Sequence, residues 1–87
     1  MLPLGNLIIS DKIHEATKAG YLTIDELKQA LDRHSNLDWG DGLSDMDKAA
    51  NDYAFKIHAR ILSSYIIRGT MVWIISEHNG PTNVLLP

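Results

Sequence analysis

Arg60, Tyr65, Glu77 and His78 are side chains of the types that acid–base chemistry on a phosphodiester uses. A general base, a general acid and a cation carried on a small sheet are the working parts of metal-independent ribonucleases. A two-residue hairpin turn at Arg68-Gly69 brings such a group together, because it sets Arg60 opposite Glu77 with His78 one residue on. The plainer account of the same residues is a cross-strand Arg60–Glu77 ion pair beside a turn histidine.

A second constellation is His34 followed by Asp38-Trp39-Gly40-Asp41. A tryptophan isolated among carboxylates has two readings. Exposed, it is a binding anchor whose acidic neighbours steer a basic partner. Folded back, it is a lid on the core with its indole N–H satisfied. On the first reading the binding residues are Trp39, Asp38, Asp41 and His34.

Metal chemistry finds less support. Asp38, Asp41, Asp45 and Asp47 crowd one loop and the helix start after it, which suggests magnesium. Carboxylates are also what turns and helix N-termini favour without metal. The four histidines, at 14, 34, 58 and 78, form no H-x₂₋₅-H pair, and there is no cysteine, so no zinc site is expected. The stretch from His14 to Glu26 has the glycine and glutamate register of an EF-hand loop, but Ala19 stands where a third oxygen ligand belongs. The same two helices make a poor DNA-binding helix-turn-helix, since Asp25, Glu26 and Asp32 would repel phosphates. No metal or cofactor is expected.

The elements that must position these residues follow from periodicity. Leu4–Ile9 reads as a short strand. Ser10 caps a helix in which Ile13, Ala16 and Ala19 share a face, ended by Gly20. Thr23 and Glu26 form a capping box, with Leu22 and Leu27 as a hydrophobic staple, opening a second helix with Leu27, Ala30 and Leu31 inward. Residues 35–43 form a loop. Ser44 and Asp47 cap a third helix over 45–58, whose stripe of Met46, Ala49, Ala50, Tyr53 and Ile57, widened by Phe55, is expected to pack on a sheet. From Arg60 the period changes from 3.6 to 2. Two strands meet at Arg68-Gly69, with Ile67 facing Thr70 and Leu62 facing Ile75. Asn79-Gly80-Pro81 turns into a last strand over 82–86. One strand face carries Leu62, Ser64, Ile66, Met71, Trp73 and Ile75. The other carries Ile61, Ser63, Tyr65, Ile67, Val72 and Ile74. Both are apolar, so both are partly covered or one is a binding surface. Trp73 is expected in the core.

The expectation is one α+β domain over residues 1–87: a short N-terminal strand, three short helices and a C-terminal three-stranded antiparallel meander, β-α-α-α-β-β-β. Eighty-seven residues build a single core. With 45% hydrophobic and 22% charged residues the chain has an ordinary globular composition. Its apolar runs are too short to cross a bilayer, and its start lacks the pattern of a signal peptide, so a cytoplasmic protein without a membrane partner is expected. The net charge of −3 speaks against nucleic acid as a partner.

Taken together, His34, Asp38-Trp39-Gly40-Asp41, Asp47, Asn51, Arg60-Ile61-Leu62-Ser63-x-Tyr65, Trp73-Ile74-Ile75-x-Glu77 and Thr82-x-x-Leu85-Leu86-Pro87, with Leu2-Pro3-Leu4-Gly5 at the start, resemble a family of small, uncharacterised "plasmid-related" bacterial proteins found on mobile and horizontally acquired DNA. After Glu77 this chain has His78-Asn79-Gly80-Pro81, where the family has a longer, charged turn. The resemblance implies a genomic setting and brings no activity. The leading functional expectation is a non-enzymatic protein-binding module of mobile-element origin, acting on a host or element-encoded protein. The alternative is a toxin-like ribonuclease of barnase-like architecture using Arg60, Tyr65, Glu77 and His78. A third reading is a homodimer that buries the second sheet face or an edge strand.

Overall fold

The computed structural model describes Met1–Pro87 as β1 (Leu7–Ile9), α1 (Asp11–Lys18), α2 (Ile24–Ser35), α3 (Asp45–Lys56), β2 (Ile61–Ile67), β3 (Thr70–Ser76) and β4 (Thr82–Leu85). This is an α+β fold with three helices and one four-stranded sheet. The sheet order is β1-β4-β3-β2, so the C-terminal strands do form an antiparallel meander, but the sheet as a whole is mixed. β1 runs parallel to β4, with Ile8 opposite Asn83. Leu4–Asn6 stay outside the strand. They run alongside β4, where Thr82 N–H donates to Asn6 O and Thr82 Oγ1 to Leu4 O.

The β2–β3 register is the one that a two-residue turn dictates: Ile67 faces Thr70, Tyr65 faces Val72 and Leu62 faces Ile75. Both turn residues have positive φ, +48° at Arg68 and +79° at Gly69, the signature of a type I′ hairpin that matches strand twist. Arginine is a poor residue for that conformation. Its guanidinium is held by Glu26 at 2.7 and 3.1 Å, which docks the turn on the first turn of α2. Glu26 also completes the capping box with Thr23. The Arg68 hydrogen bond, ahead of the Thr23 contacts, holds its carboxyl below the usual range.

Alternation puts Ile61, Ser63, Tyr65, Val72, Ile74, Thr82 and Val84 on one sheet face. α1 and α2 pack there through Ile13, Ala16, Leu22, Leu27 and Ala30, and this is the hydrophobic core. The Leu22–Leu27 staple lies inside it.

α3 corrects one expectation. Met46, Ala49, Ala50, Tyr53 and Ile57 do not pack on the sheet; they face water. The side of α3 that meets β2 is the polar one, and Asn51 is its only buried residue. The reason is the edge of β2. Asn51 Nδ2 donates to Leu62 O at 2.7 Å, and Leu62 N–H donates to Asn51 Oδ1 at 3.4 Å. An unpaired edge strand needs such partners, and an apolar stripe cannot supply them. Trp73 is also displaced from its expected place: it is half-buried on the second face, outside the core cluster.

Candidate functional site

Four places on the molecule gather side chains that could do chemistry or recognise a partner. The first is the loop of Asp38, Trp39, Gly40 and Asp41. Its backbone behaves as a fifth strand segment against β2: Ser64 N–H donates to Trp39 O at 3.1 Å, and Gly42 N–H donates to Ser64 O at 3.0 Å. Together with Asn51 it covers the outward backbone groups of Leu62 and Ser64. The approach is close enough that a Cβ on Gly40, whose φ is +92°, would collide with the Ser64 carbonyl, and one on Gly42 with the Ser64 hydroxyl. Trp39 takes the folded-back alternative. It is 4% exposed, its ring meets His34 edge-on at 6.0 Å, and its Nε1–H donates to Asp52 on α3 at 2.9 Å. Asp38 and Asp41 are half exposed, but both are bound to Arg33: Nε–Asp38 at 2.7 Å and Nη2–Asp41 at 3.1 Å. The guanidinium hydrogen bonds hold both carboxyls below the ordinary carboxylate range. Arg33 in turn lies 5.0 Å over the Tyr65 ring, and Tyr65 Oη donates to Asp38 O at 2.6 Å. Burial pushes the Tyr65 phenol up to about 12. Of the four residues expected to bind a partner, Trp39 and His34 are buried, and Asp38 and Asp41 share one internal cation, Arg33. The loop is a structural clasp.

The second place is the buried histidine. His34 is fully enclosed, with Nδ1 2.6 Å from Ser63 Oγ and Nε2 2.8 Å from Ser76 Oγ. Ser76 Oγ lies 2.7 Å from Thr82 Oγ1, which donates to Leu4 O at 2.6 Å. Each hydroxyl has one proton to give, so the directions follow from that last bond. Thr82 must then accept from Ser76, and Ser76 from His34 Nε2–H. Burial disfavours the charged ring, so the neutral tautomer leaves Nδ1 to accept from Ser63. Burial lowers its pKa to about 4. The arrangement has the look of a serine–histidine pair, but no solvent reaches it. It ties α2, β2, β3, β4 and the N-terminal segment together.

The third place is a cleft of about 320 Å³ at the end of the sheet, lined by Met1, Leu2, Pro3, Phe55, His58, Ile61 and His78 among others. Arg60 and Glu77 form their cross-strand pair beside it at 3.2 Å. His58, which the sequence does not place with the acid–base group, meets His78 with ring centroids 4.7 Å apart and planes tilted by 41°. Tyr65, the fourth member of the expected acid–base group, is not in the cleft; it is buried under Arg33. No three histidine, aspartate or glutamate side chains come together in an arrangement that could hold a metal ion.

The fourth place is a surface. The second sheet face carries Ile8, Asn83, Ile75 and Leu62 in one row, Leu85, Trp73 and Ser64 in the next, then Met71 and Ile66. None is charged. Ile8 and Ile66 are each 49% exposed and Met71 37%. A groove lined by Leu43, Asp47, Ala50, Asn51 and Leu62 joins this face to α3. Across it the outward stripe of α3 exposes Met46 (82%), Tyr53 (64%) and Ile57 (53%). The sequence leaves the second face open between cover and binding, and its helical period points the α3 stripe to the interior. The signal that could correct it is the polar group Lys48, Asn51 and Asp52 on one helix face, with an amide at its centre.

Comparison with protein-family models, curated proteins and solved structures returns no match. No helix is long and apolar enough to cross a membrane.

Proposed function

We propose that the chain is a non-enzymatic protein-binding module that docks through the uncharged surface formed by the second sheet face and the outer stripe of α3. The observation that carries this reading is the inversion of α3. An amphipathic helix that turns its polar side to its own fold and its apolar side outward has its apolar stripe free for something else to cover. Proteins of the host or of a mobile element meet the description of an apolar partner, and so does a second copy of the chain. Tyr53→Glu and Met71→Lys place charges on the surface without touching the core. Tagged protein carrying either change should fold with an unaltered Tm and lose the partner that the unmodified protein captures. Capture that persists in both variants would overturn the reading.

A second reading attaches to the cleft at the end of the sheet, where two imidazoles stand together beside Arg60 and Glu77. Two histidines at one cleft offer a base and an acid for phosphodiester transfer. Tyr65 takes no part in it, and Arg60 is already paired. Growth arrest on expression, relieved by Glu77→Gln, is the result that would favour a ribonuclease. Normal growth together with no RNA cleavage by the purified protein would dismiss it.

A further inference from the structure

We infer that the occupant of the uncharged surface is a second copy of this chain, docked so that α3 of each protomer covers the second sheet face of the other. The inference rests on reading that surface as a docking site and names its partner.

Three observations carry it. The first is a reciprocal lack. α1 and α2 cover one sheet face and build the core there. Ser64 and Ile75 on the second face are buried, but Ile8, Ile66 and Met71 on it stay exposed, while α3 has an apolar helical stripe that is exposed as well. A sheet face and a helix stripe are the two halves of one layer contact. The joining groove keeps α3 at the β2 edge, so its stripe cannot turn onto its own sheet without breaking the Asn51–Leu62 bonds. A two-fold partner supplies both missing halves at once, because an isologous interface uses the same patch on each copy.

The second observation is area. Large apolar side chains present about 150–250 Å² each when free. The exposed fractions of Met46, Tyr53, Ile57, Ile8, Ile66 and Met71 then give on the order of 700 Å² per copy, close to the ~800 Å² per partner of a standard stable interface.

The third is charge and edge geometry. Each copy carries −3, yet the apolar residues of the two patches bring no carboxylate or cation into the contact, and the Arg60–Glu77 pair at the end of the sheet face is already matched within the chain, so the contact does not set like charges directly against each other. Strand-to-strand association is closed off at β2 by Asn51 and by the Trp39–Gly42 segment, and β1 at the other edge has three residues. Face-to-face docking is the geometry that remains.

Sedimentation equilibrium of the whole chain reads the first consequence: a mass twice the 9.7 kDa of the chain, reduced to that of one chain by Tyr53→Glu and by Ile66→Lys. The chain has no cysteine, so introduced thiols report one contact each. Mixed Tyr53→Cys and Met71→Cys single variants should form a heterodimer with a short bis-maleimide at least five-fold faster than Tyr53→Cys mixed with Asp25→Cys, which lies at the exposed start of α2. A monomer that loses a different protein partner on Tyr53→Glu would overturn the second copy and leave the docking surface standing. A monomer whose Tyr53→Glu variant loses nothing would overturn both. A dimer that survives both substitutions, or cross-links with no preference for Met71, would place the interface elsewhere.

Discussion

Acidification should unfold this protein through His34, and the size of the effect can be worked out. The imidazole is neutral because its surroundings exclude water, and in that state Nδ1 accepts from Ser63. In the unfolded chain it takes a proton near pH 6.5, and in the folded chain near 4. Because the folded value is the depressed one, the unfolded state binds more protons between these limits, and stability rises with pH there. The contribution is fully present above pH 6.5 and is lost as pH falls toward 4. One pH unit inside the window is worth about 1.4 kcal/mol, so roughly 2 kcal/mol should go between pH 7 and 5, and about 3 in all. A domain of this size has about 4–13 kcal/mol to lose. Asp38, Asp41 and Glu26, all held low by arginine, add their losses lower on the scale, as pH falls through their folded values. Urea unfolding at half-unit steps from pH 7.5 to 4, set against His34→Gln, isolates the histidine. The unmodified chain should lose about 2 kcal/mol more than the variant by pH 5. NMR should show the His34 ring shifts close to their neutral values at pH 5. A His34 midpoint near 6.5, or parallel stability curves for the two chains, would refute the enclosed neutral ring.

Other substitutions test the clasp on β2. Gly40→Ala meets both a backbone carbonyl and a left-handed φ, and should lower stability by about 2–4 kcal/mol in denaturant titrations. Asn51→Leu keeps the bulk and removes two bonds to Leu62, so it should cost about 2–3 kcal/mol and speed exchange of the Leu62 amide. Trp39→Ala should cost about 3–5 kcal/mol, as loss of a buried ring does. Unchanged stability would return Trp39 to the surface. Ser64 Oγ is buried without a partner in the protein, so Ser64→Ala should leave the Tm unchanged or raise it by a few degrees.

Much of this fold is legible in the residues, where a local rule decides. The Thr23–Glu26 capping box and the Leu22–Leu27 staple set the start of α2, and the Arg68-Gly69 turn sets the register of every β2–β3 pair. The parallel seat of β1 beside β4 is decided by contacts of Leu4 and Asn6 some eighty residues away, and no local pattern announces them. α3 fails for a different reason. Its stripe obeys the helical period, but period says only that a face is apolar and not what covers it. The need of β2 for edge partners outweighed the stripe, and Asn51 was the residue that showed it. The candidate sites divide along the same line. The Arg60–Glu77 pair follows from register alone. Tyr65 left the acid–base group because its strand parity points it into the core while Arg60 and Glu77 sit on the other face. Trp39 was undecided in the sequence, since an indole among aspartates suits a lid and an anchor equally. Its bond to Asp52 decides for the lid.

The central claim is that the uncharged surface is covered in the working protein. Hydroxyl-radical footprinting of Met46, Tyr53, Ile66 and Met71 tests it most directly, comparing dilute purified chain with the chain at its expressed concentration in cell extract. Tyr21, 67% exposed and outside the patch, serves as the internal control. The account predicts that the four residues become protected while Tyr21 stays reactive. Equal oxidation of all five under both conditions would contradict it.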